Sequence, residues 1–280
     1  MAISAELRQK QSALDAELRS LGRTLIAYSG GTDSAFLAWA AHQALGADML
    51  AVIADSPSLA RFQLEDAVAF ANEQGIPLEI VQTQELERPE YVRNDASRCF
   101  HCKDELFTVM EQLAATRDFQ TIVYGVNVDD KSDFRPGQAA ANQHKVAAPL
   151  LEAGLRKDDI RELAREAGLK IWDKPASACL SSRIEYGRAV TPEALASVER
   201  GEDALRRLGF RQFRVRHHGE IARIEIAREE MARALTQEMA AEFTSIFKGL
   251  GFKFVTLDLD GFRSGSMNAL LGIDAIARAG

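Results

Sequence analysis

Thr24-Leu-Ile-Ala-Tyr-Ser-Gly-Gly-Thr-Asp-Ser34 decides the fold, because an apolar run passes through two glycines into a helical segment that continues to Leu45. This succession predicts a buried strand, a tight loop and a helix. Similar units recur along the chain, with strands predicted at 48–54, 78–81 and 121–124 and helices at 59–74 and 103–113. The alternation indicates an α/β fold, a doubly wound parallel sheet with helices on both faces.

The loop between the first strand and its helix has the composition of a phosphate-binding loop. Gly30 and Gly31 let the backbone approach an anion that faces the helix N-terminus. Asp33 would repel a phosphate unless a Mg²⁺ ion bridges the two groups. Hydroxyl donors are supplied by Ser29, Thr32 and Ser34. A capped glycine turn explains any one of these residues but not all of them, and the loop lacks the GK[ST] ending of the Walker type.

A second pattern begins after residues 129–188, a loop-rich region with one helix predicted at 157–167. A helix with Pro192 in its first turn precedes predicted strands at 211–215 and 222–226, a helix at 228–248 and a strand at 253–259. This order indicates a smaller C-terminal α+β domain. We therefore predict two domains, residues 1–188 and residues 189–280.

The overall charge of the chain argues against some classes of partner. The formal net charge is −7 and the pI is about 5.4, which disfavours binding of polyanions through bulk electrostatics. The first 22 residues have interleaved charges and no apolar region typical of a signal peptide or a membrane span. We predict a cytoplasmic protein that binds neither nucleic acid nor membranes.

The three cysteines allow several interpretations. Cys99 and Cys102 form a C-x-x-C pair, and Cys179 lies in a separate loop, so three thiolates could meet at a zinc ion or an iron–sulfur cluster. Alternatively, Cys179 is a nucleophile whose pKa is lowered by Lys174 and Arg183. A third interpretation is that all three cysteines are free thiols buried in the core. The odd number of cysteines and the C-x-x-C spacing disfavour a disulfide framework.

Ser29-Gly-Gly-Thr-Asp-Ser34 resembles the SGGxDS loop of the PP-loop ATP-pyrophosphatase superfamily, which includes GMP synthetase, NAD synthetase and tRNA thiolases. The resemblance implies an adenine nucleotide alpha hydrolase-like fold and cleavage of ATP between its α and β phosphates. It also implies that Ala54, Ser56 and Gly125, which follow later strands, flank the adenosine. Ordinary turn chemistry explains those three residues equally well.

Further motifs extend the resemblance from about Leu18 to Asn268. They are Gly125-Val-Asn-Val-Asp-Asp-Lys-Ser-Asp-Phe-Arg-Pro-Gly137, Ala148-Pro-Leu-Leu151, Cys179-Leu-Ser-Ser-Arg183, Arg214-Val-Arg216 and Asp260-Gly-Phe-Arg-Ser-Gly265. Together they resemble the LarE family of ATP-dependent sulfur transferases, which make the nickel-pincer nucleotide cofactor of lactate racemase. The resemblance implies adenylation of pyridinium-3,5-dicarboxylate mononucleotide with release of pyrophosphate. Conversion to a thiocarboxylate follows, and two rounds give the bisthiocarboxylate.

The family also implies roles for the cysteines. In members with one cysteine, the residue matching Cys179 gives up its own sulfur and becomes dehydroalanine. Members with three cysteines resemble this chain, and the resemblance implies that Cys99, Cys102 and Cys179 hold a 4Fe-4S cluster whose open iron carries sulfide. We favour the cluster over sacrifice of Cys179.

The remaining site residues are assigned by the same resemblance. The catalytic set is Cys179, Cys99, Cys102, Asp33 and Arg183, and the predicted cofactors are ATP, Mg²⁺ and the 4Fe-4S cluster. Asp129 and Arg135 are assigned to the nucleotide site. Asp129 and Asp130 are candidate Mg²⁺ ligands, and Asp133 and Arg135 could order the loop by an ion pair, but structural salt bridges explain these residues equally well. Substrate phosphate and carboxylates are assigned to Arg183, Arg214, Arg216 and Arg263, although alternating arginines on a strand are often only a solvated face. A homo-oligomer, trimeric or hexameric, is implied as well.

Other functions compete with this interpretation. A tRNA thiolase would use a similar loop and cysteine cluster, but the sequence has neither a basic excess nor an added RNA-binding module. A ligase that uses ammonia would leave the cysteines without a role. A regulatory or metal-storage module would bind ATP without releasing pyrophosphate.

Overall fold

The computed structural model describes residues 3–132, 136–175, 178–263 and 267. Contacts divide the chain into two compact units. The first comprises Met1–Gln84 and Cys99–Ser177, and the second comprises Glu85–Arg98 and Ala178–Gly280. No helix among the described residues is long and apolar enough to cross a membrane.

The first unit contains a parallel sheet and most of the helices. Its strands are β1 Thr24–Ala27, β2 Met49–Asp55, β3 Leu78–Gln82 and β4 Thr121–Tyr124. Its helices are α1 Ala5–Ser20, α2 Thr32–Leu45, α3 Arg61–Glu73, α5 Arg98–Arg117, α6 Pro136–Gln143, α7 Pro149–Glu152 and α8 Lys157–Glu166, of which α5 begins one residue inside the second unit. The short helix α4, Pro89–Val92, belongs to the second unit.

The four strands have the order β3-β2-β1-β4, and every neighbouring pair is parallel. Successive residues of β1 face opposite sides of the sheet, as strand geometry requires. Ile26 joins one core with Phe36 of α2, whereas Leu25 joins a second core with Phe107 of α5. The predicted doubly wound α/β sheet is therefore confirmed. In this sheet β2 and β3 lie on one side of β1, and β4 lies on the other side. Ligands bind in parallel sheets at the point where the strand order reverses in this way, and the loop after β1 lies there.

The start of α5 differs from its prediction. The helix begins at Arg98 and not at 103, so Cys99 and Cys102 lie in its first two turns. Asp95 opens it, because its carboxylate accepts a hydrogen bond from the Ser97 N–H at 2.8 Å and its carbonyl accepts one from the Arg98 N–H at 3.1 Å. Such Asx turns are local, but whether the helix continues from one depends on its packing.

The second unit is a small α+β structure, as predicted. It contains α9 Pro192–Arg207, β5 Phe213–His218, β6 Ile221–Ile226, α10 Met231–Ala234, α11 Gln237–Gly249 and β7 Phe254–Leu257. The sheet order is β5-β6-β7, with β5 and β6 antiparallel and β6 and β7 parallel. Its apolar core includes Val215, Phe243 and Phe247.

The single helix predicted at 228–248 is wrong. A 3-10 turn, Arg228–Glu230, leads into α10, and α11 begins afresh at Gln237. Thr236 causes the new start, because its extended backbone leaves the helix and its hydroxyl accepts a hydrogen bond from the Met239 N–H at 3.2 Å. Periodic apolar residues alone do not reveal such a break.

The division into units differs from the boundary predicted at residue 188. Residues 85–98 and 178–188 group with the second unit because hydrogen bonds join these two segments. The Gly187 N–H donates to the Asn94 carbonyl at 3.0 Å, and two residues beyond the second segment the Val190 N–H donates to the Val92 carbonyl at 2.9 Å. These pairings are distant in sequence, so the local pattern cannot predict them.

Candidate active site

The loop after β1 folds as a compact cradle. The Ser29 N–H donates to Ser34 Oγ at 3.1 Å, and the Oγ atoms of the two serines are 3.0 Å apart. Gly30 has a φ of 72°, and a Cβ there would lie 2.6 Å from the Cβ of Ala67. Only glycine fits this position, because both the backbone conformation and the close neighbour exclude a side chain.

Thr32 has a role that the sequence did not suggest. Its side chain is buried and its hydroxyl donates to the Ile171 carbonyl at 3.1 Å. We predicted this hydroxyl as a phosphate donor, but the structure commits it to the segment that follows α8. Arg161 holds the same segment through the carbonyls of Trp172 and Lys174, at 2.8 and 2.9 Å. Thr32 thus anchors the first turn of α2.

Asp33 is oriented by an asparagine from the end of β4. The Asn127 side-chain amide donates to Asp33 Oδ2 at 3.1 Å, and Asn127 is fully buried. The Asn127 backbone N–H donates to Asp130 Oδ2 at 3.2 Å, and its Oδ1 accepts from the Asp129 N–H at 2.9 Å. A half-buried carboxylate held at the start of α2 fits a Mg²⁺ ligand beside nucleotide phosphates. Sequence reasoning missed Asn127, although its place after a strand at the same sheet edge was a usable signal.

Gly125 brings the end of β4 against the first turn of α2. A Cβ there would lie 2.8 Å from Ser34 N and 2.9 Å from Ser34 Cα, both backbone atoms that cannot rotate away. The adenosine contact predicted for Gly125 stays a prediction. Close packing against Ser34 is by itself a sufficient reason for glycine at this position.

Asp129 has partners other than those predicted. Its carboxylate accepts a hydrogen bond from the Lys157 N–H at 2.9 Å and pairs with Arg156 at 3.4 Å. It therefore caps the N-terminus of α8, where a negative charge is favourable. Its assignment to the nucleotide site stays a prediction. Asp133 and Arg135 lie outside the described residues.

The end of β2 is arranged by the carboxylate of Asp55, which lies between the predicted site residues Ala54 and Ser56. Asp55 forms an ion pair with Arg61 and accepts a hydrogen bond from Gln82 at 3.1 Å. The Arg61 hydrogen bond, aided by that of Gln82, lowers the pKa of Asp55. Ser56, predicted beside Ala54 at the adenosine, is buried, and its hydroxyl accepts a hydrogen bond from the Ser58 N–H at 3.0 Å. The hydroxyl thus stabilises the turn, and the adenosine assignments stay predictions.

The C-x-x-C pair lies on one helix. Cys99 is exposed and Cys102 is partly exposed, and residues three apart in an α-helix share a face. The pair therefore fits two adjacent thiolate ligands of an iron–sulfur cluster. Within residues 3–132, 136–175 and 178–263, no group of three or more His, Cys, Asp or Glu side chains is placed to hold a metal ion.

Cys179, in the second unit, begins a 3-10 turn, Leu180–Arg183. Its Sγ is 3.0 Å from Ser181 Oγ, and its carbonyl accepts hydrogen bonds from the Ser182 N–H at 3.0 Å and the Ser182 hydroxyl at 2.7 Å. Burial raises the pKa of the Cys179 thiol, but the positive charge of Arg98 and the bond to Ser181 outweigh burial and leave that pKa lowered. The charge of Arg183, which the sequence named as an activating cation, lowers this pKa as well, whereas sequence reasoning missed Arg98.

Arg183 is almost fully buried and belongs to an ion pair. Its Nε donates to Glu202 Oε1 at 2.9 Å and its second terminal nitrogen donates to Oε2 at 3.3 Å. It also donates to the carbonyls of Ala178 and Cys179 at 2.7 and 3.0 Å. These contacts indicate that Arg183 supports the Cys179 turn. A direct catalytic or substrate contact stays a prediction.

The other arginines assigned to substrate differ in their surroundings. Arg216 is buried and donates to Glu225 at 2.8 Å and to the Ser182 carbonyl at 3.2 Å. Arg214 lies over the Phe262 ring at 5.1 Å, and burial, followed by the charge of Arg183, lowers its pKa to about 10. Arg263 is exposed and pairs with Asp260 at 2.8 Å. The substrate assignments stay predictions, but Arg216 is not the solvated surface residue that the strand pattern allowed.

The chain is similar to known proteins over most of its length, although no protein-family model matches it. It is 43% identical over 251 residues to an uncharacterised protein of Synechocystis, covering 90% of this chain and 94% of that protein. It is 35% identical over 268 residues to the pyridinium-3,5-bisthiocarboxylic acid mononucleotide synthase of Lactiplantibacillus plantarum, covering 95% and 96% of the two chains. The chain belongs to the LarE family.

Membership of the LarE family confirms the predicted enzyme class, a sulfurtransferase of the synthase type. A more distant similarity supports ATP binding. The LarE-family chain is 29% identical over 197 residues to a glutamine-hydrolysing GMP synthase component of Thermococcus kodakarensis, covering 63% of this chain and 62% of that protein. Similarity to an enzyme that makes a different product supports a nucleotide site common to both proteins.

Proposed function

We propose that this LarE-family protein adenylates the carboxylates of pyridinium-3,5-dicarboxylate mononucleotide and converts them to thiocarboxylates for the nickel-pincer cofactor of lactate racemase. The synthase of L. plantarum, named for the corresponding bisthiocarboxylic acid, supports this substrate. The observation that carries the proposal is Cys179, a thiol of lowered pKa in a hydrogen-bonded turn. An enzyme that delivers ammonia to its adenylate has no use for such a thiol.

The first step takes place at the loop Ser29–Ser34. A substrate carboxylate oxygen attacks the α-phosphorus of ATP, the bond between that phosphorus and the α,β-bridging oxygen breaks, and pyrophosphate leaves. Backbone groups of Gly30 and Gly31 and the N-terminus of α2 bind the phosphates. Asp33, oriented by Asn127 at 3.1 Å, would hold Mg²⁺ against the phosphate oxygens.

The second step replaces AMP by sulfur. A sulfur nucleophile attacks the acyl carbon, the bond from that carbon to the AMP oxygen breaks, and AMP leaves with the electron pair. In total, one carboxylate, one ATP and one hydrosulfide give a thiocarboxylate, AMP, pyrophosphate and a proton. Cys99, Cys102 and Cys179 would hold a 4Fe-4S cluster, which supplies sulfide at the iron that has no cysteine ligand.

Sacrifice of Cys179 is the second candidate, and the lowered pKa of its thiol favours it. Here Sγ attacks the acyl-adenylate and forms a thioester with loss of AMP. Removal of the Cα proton then breaks the Cβ–Sγ bond, which leaves a thiocarboxylate product and dehydroalanine at residue 179. Each chain would complete one turnover.

We also propose that the protein acts in the cytoplasm as a homo-oligomer, trimeric or hexameric, without nucleic acid. The formal net charge of −7 supports the last point. Turnover of tRNA in place of the mononucleotide would identify a thiolase, and ATP binding without pyrophosphate release would identify a regulatory module.

The test uses protein purified without oxygen. Iron and acid-labile sulfide are measured, and the protein is then incubated with ATP, Mg²⁺, sulfide and the dicarboxylate mononucleotide. Pyrophosphate, thiocarboxylate and the protein mass are recorded. About four irons per chain, repeated turnover and unchanged mass support the cluster route.

The Cys99→Ser and Cys179→Ser variants separate the two routes. The cluster route predicts that both variants lose iron and turnover. Sacrifice predicts that Cys99→Ser still completes one turnover and loses the mass of one H₂S, whereas Cys179→Ser makes no product. Absence of pyrophosphate from the wild-type protein would contradict both.

A further inference from the structure

Asn94 is a fully buried residue in a conformation that few non-glycine residues adopt. Its φ is 57°, in the left-handed region, which side chains other than that of glycine adopt at a cost in backbone strain. Its amide donates to the Ile184 and Glu185 carbonyls at 3.3 and 2.9 Å, and its Oδ1 accepts from Arg98 at 2.5 Å. The side chain therefore joins Arg98 to the segment that follows the Cys179 turn.

Arg98 continues this connection to the turn itself. It is only 3% exposed, donates to the Ser181 carbonyl at 2.9 Å and lies over the Tyr186 ring at 5.6 Å. Ser181 Oγ is in turn 3.0 Å from Cys179 Sγ. A chain of contacts thus runs from Asn94 through Arg98 and Ser181 to the thiol.

A buried guanidinium is costly to desolvate, and an apolar side chain would often fill such a space with equal or greater stability. Stability alone is therefore a weak reason for an arginine at this position. Arg98 brings its positive charge to the Ser181 carbonyl in the turn of Cys179, whose sulfur takes part in either route to the thiocarboxylate. This combination of a strained asparagine and a buried cation at one turn indicates a function for the pair.

We propose that Asn94 and Arg98 are positioning residues that orient the Cys179 turn for sulfur transfer and take no part in adenylation. This inference rests on the proposed function, because it assumes that Cys179 serves sulfur transfer. Adenylation depends on the loop Ser29–Ser34, so the two half-reactions should respond differently to changes at Asn94 and Arg98.

The experiment measures the two half-reactions separately in the full-length protein. Pyrophosphate–ATP exchange with the dicarboxylate mononucleotide reports adenylation, and thiocarboxylate formation reports sulfur transfer. We expect Arg98→Gln to slow thiocarboxylate formation by about tenfold to a hundredfold, the size typical of a misplaced reacting group, with exchange nearly unchanged. Arg98→Lys keeps the charge and should recover part of the rate.

Asn94→Gly keeps the left-handed backbone but removes the amide contacts, and it should slow sulfur transfer by about tenfold. Asp118→Gly is the matched control, because Asp118 also has a positive φ, of 56°, and its side chain is 92% exposed. We expect the control to keep wild-type rates in both assays. The thermal midpoint of every variant is recorded beside the rates.

The outcomes are distinguishable. Wild-type sulfur transfer in Arg98→Gln and Asn94→Gly would overturn the positioning role. A parallel fall of exchange, sulfur transfer and thermal midpoint would also overturn it, in favour of a structural role. If the wild-type protein itself shows no exchange, the proposed function fails, independently of these variants.

Discussion

Gly125 sets the distance between the end of β4 and the loop Ser29–Ser34. A methyl group there would meet the Ser34 backbone nitrogen at 2.8 Å, so Gly125→Ala must move β4 or the start of α2. We expect a loss of about 1–3 kcal/mol in the free energy of unfolding and weaker ATP binding. Urea unfolding and calorimetry measure the two effects.

Gly249→Ala is the matched control for this change. Gly249 ends α11, and a Cβ there would meet no atom within 4 Å. The control should leave ATP binding unchanged and alter the free energy of unfolding by less than about 1 kcal/mol. Equal behaviour of the two variants would refute the packing role of Gly125.

The Arg183–Glu202 pair supports the Cys179 turn from inside the protein, with side chains only 1% and 5% exposed. Glu202→Gln would leave the Arg183 charge buried without its carboxylate. We expect a loss of about 3–5 kcal/mol in the free energy of unfolding, measured with urea. Asp203→Asn is the control on the same helix, since the Asp203–Arg206 pair is 37% and 39% exposed and should contribute less than about 1 kcal/mol. Similar losses in both variants would contradict the role of burial.

At the scale of elements, His144 ties the end of α6 to α5. Its ring contacts Asp104 at 3.0 Å and Glu111 at 2.9 Å, both on α5. Burial lowers the pKa of His144, but the hydrogen bonds to the two carboxylates outweigh burial and raise it. A folded-state pKa above that of the unfolded chain means that the protonated ring stabilises the fold.

This contribution is therefore complete below the unfolded-state pKa of about 6.5 and is lost as the pH rises through the raised pKa of the folded state. We expect His144→Gln to lower the free energy of unfolding more at about pH 5.5 than at about pH 9. Urea unfolding of both proteins at the two pH values gives the difference. A loss that is the same at both values would show that the ring only fills space.

At the scale of the whole molecule, the formal net charge of −7 and the pairing of buried arginines with carboxylates leave little free positive potential in the parts described. We expect no retention of tRNA in a filter-binding assay, even at about 50 mM salt, where phosphate contacts are strongest. Binding that weakens steeply with added salt would instead favour the thiolase reading.

The sequence by itself was sufficient to predict the α/β class and the family, and it named one loop, Ser29–Ser34, as the candidate nucleotide site. The periodicity of apolar residues predicts the strands and helices. Ser29–Ser34 is a short local motif, and recognising it requires only a strand before it and a helix after it. Boundaries were less predictable. The Asx turn at Asp95 lengthens α5, and the cap at Thr236 divides a helix that the apolar pattern runs together.

Only the tertiary structure decided which side chains are partners. Arg183 meets Glu202 across 19 residues of sequence, and Arg98 meets the Ser181 carbonyl across 83. Motifs named the arginines without pairing them with their carboxylates, and they named Cys179 with Arg183 but without Arg98. The physical reason is that burial determines whether a charge must be paired, and burial depends on packing between segments that no local pattern connects.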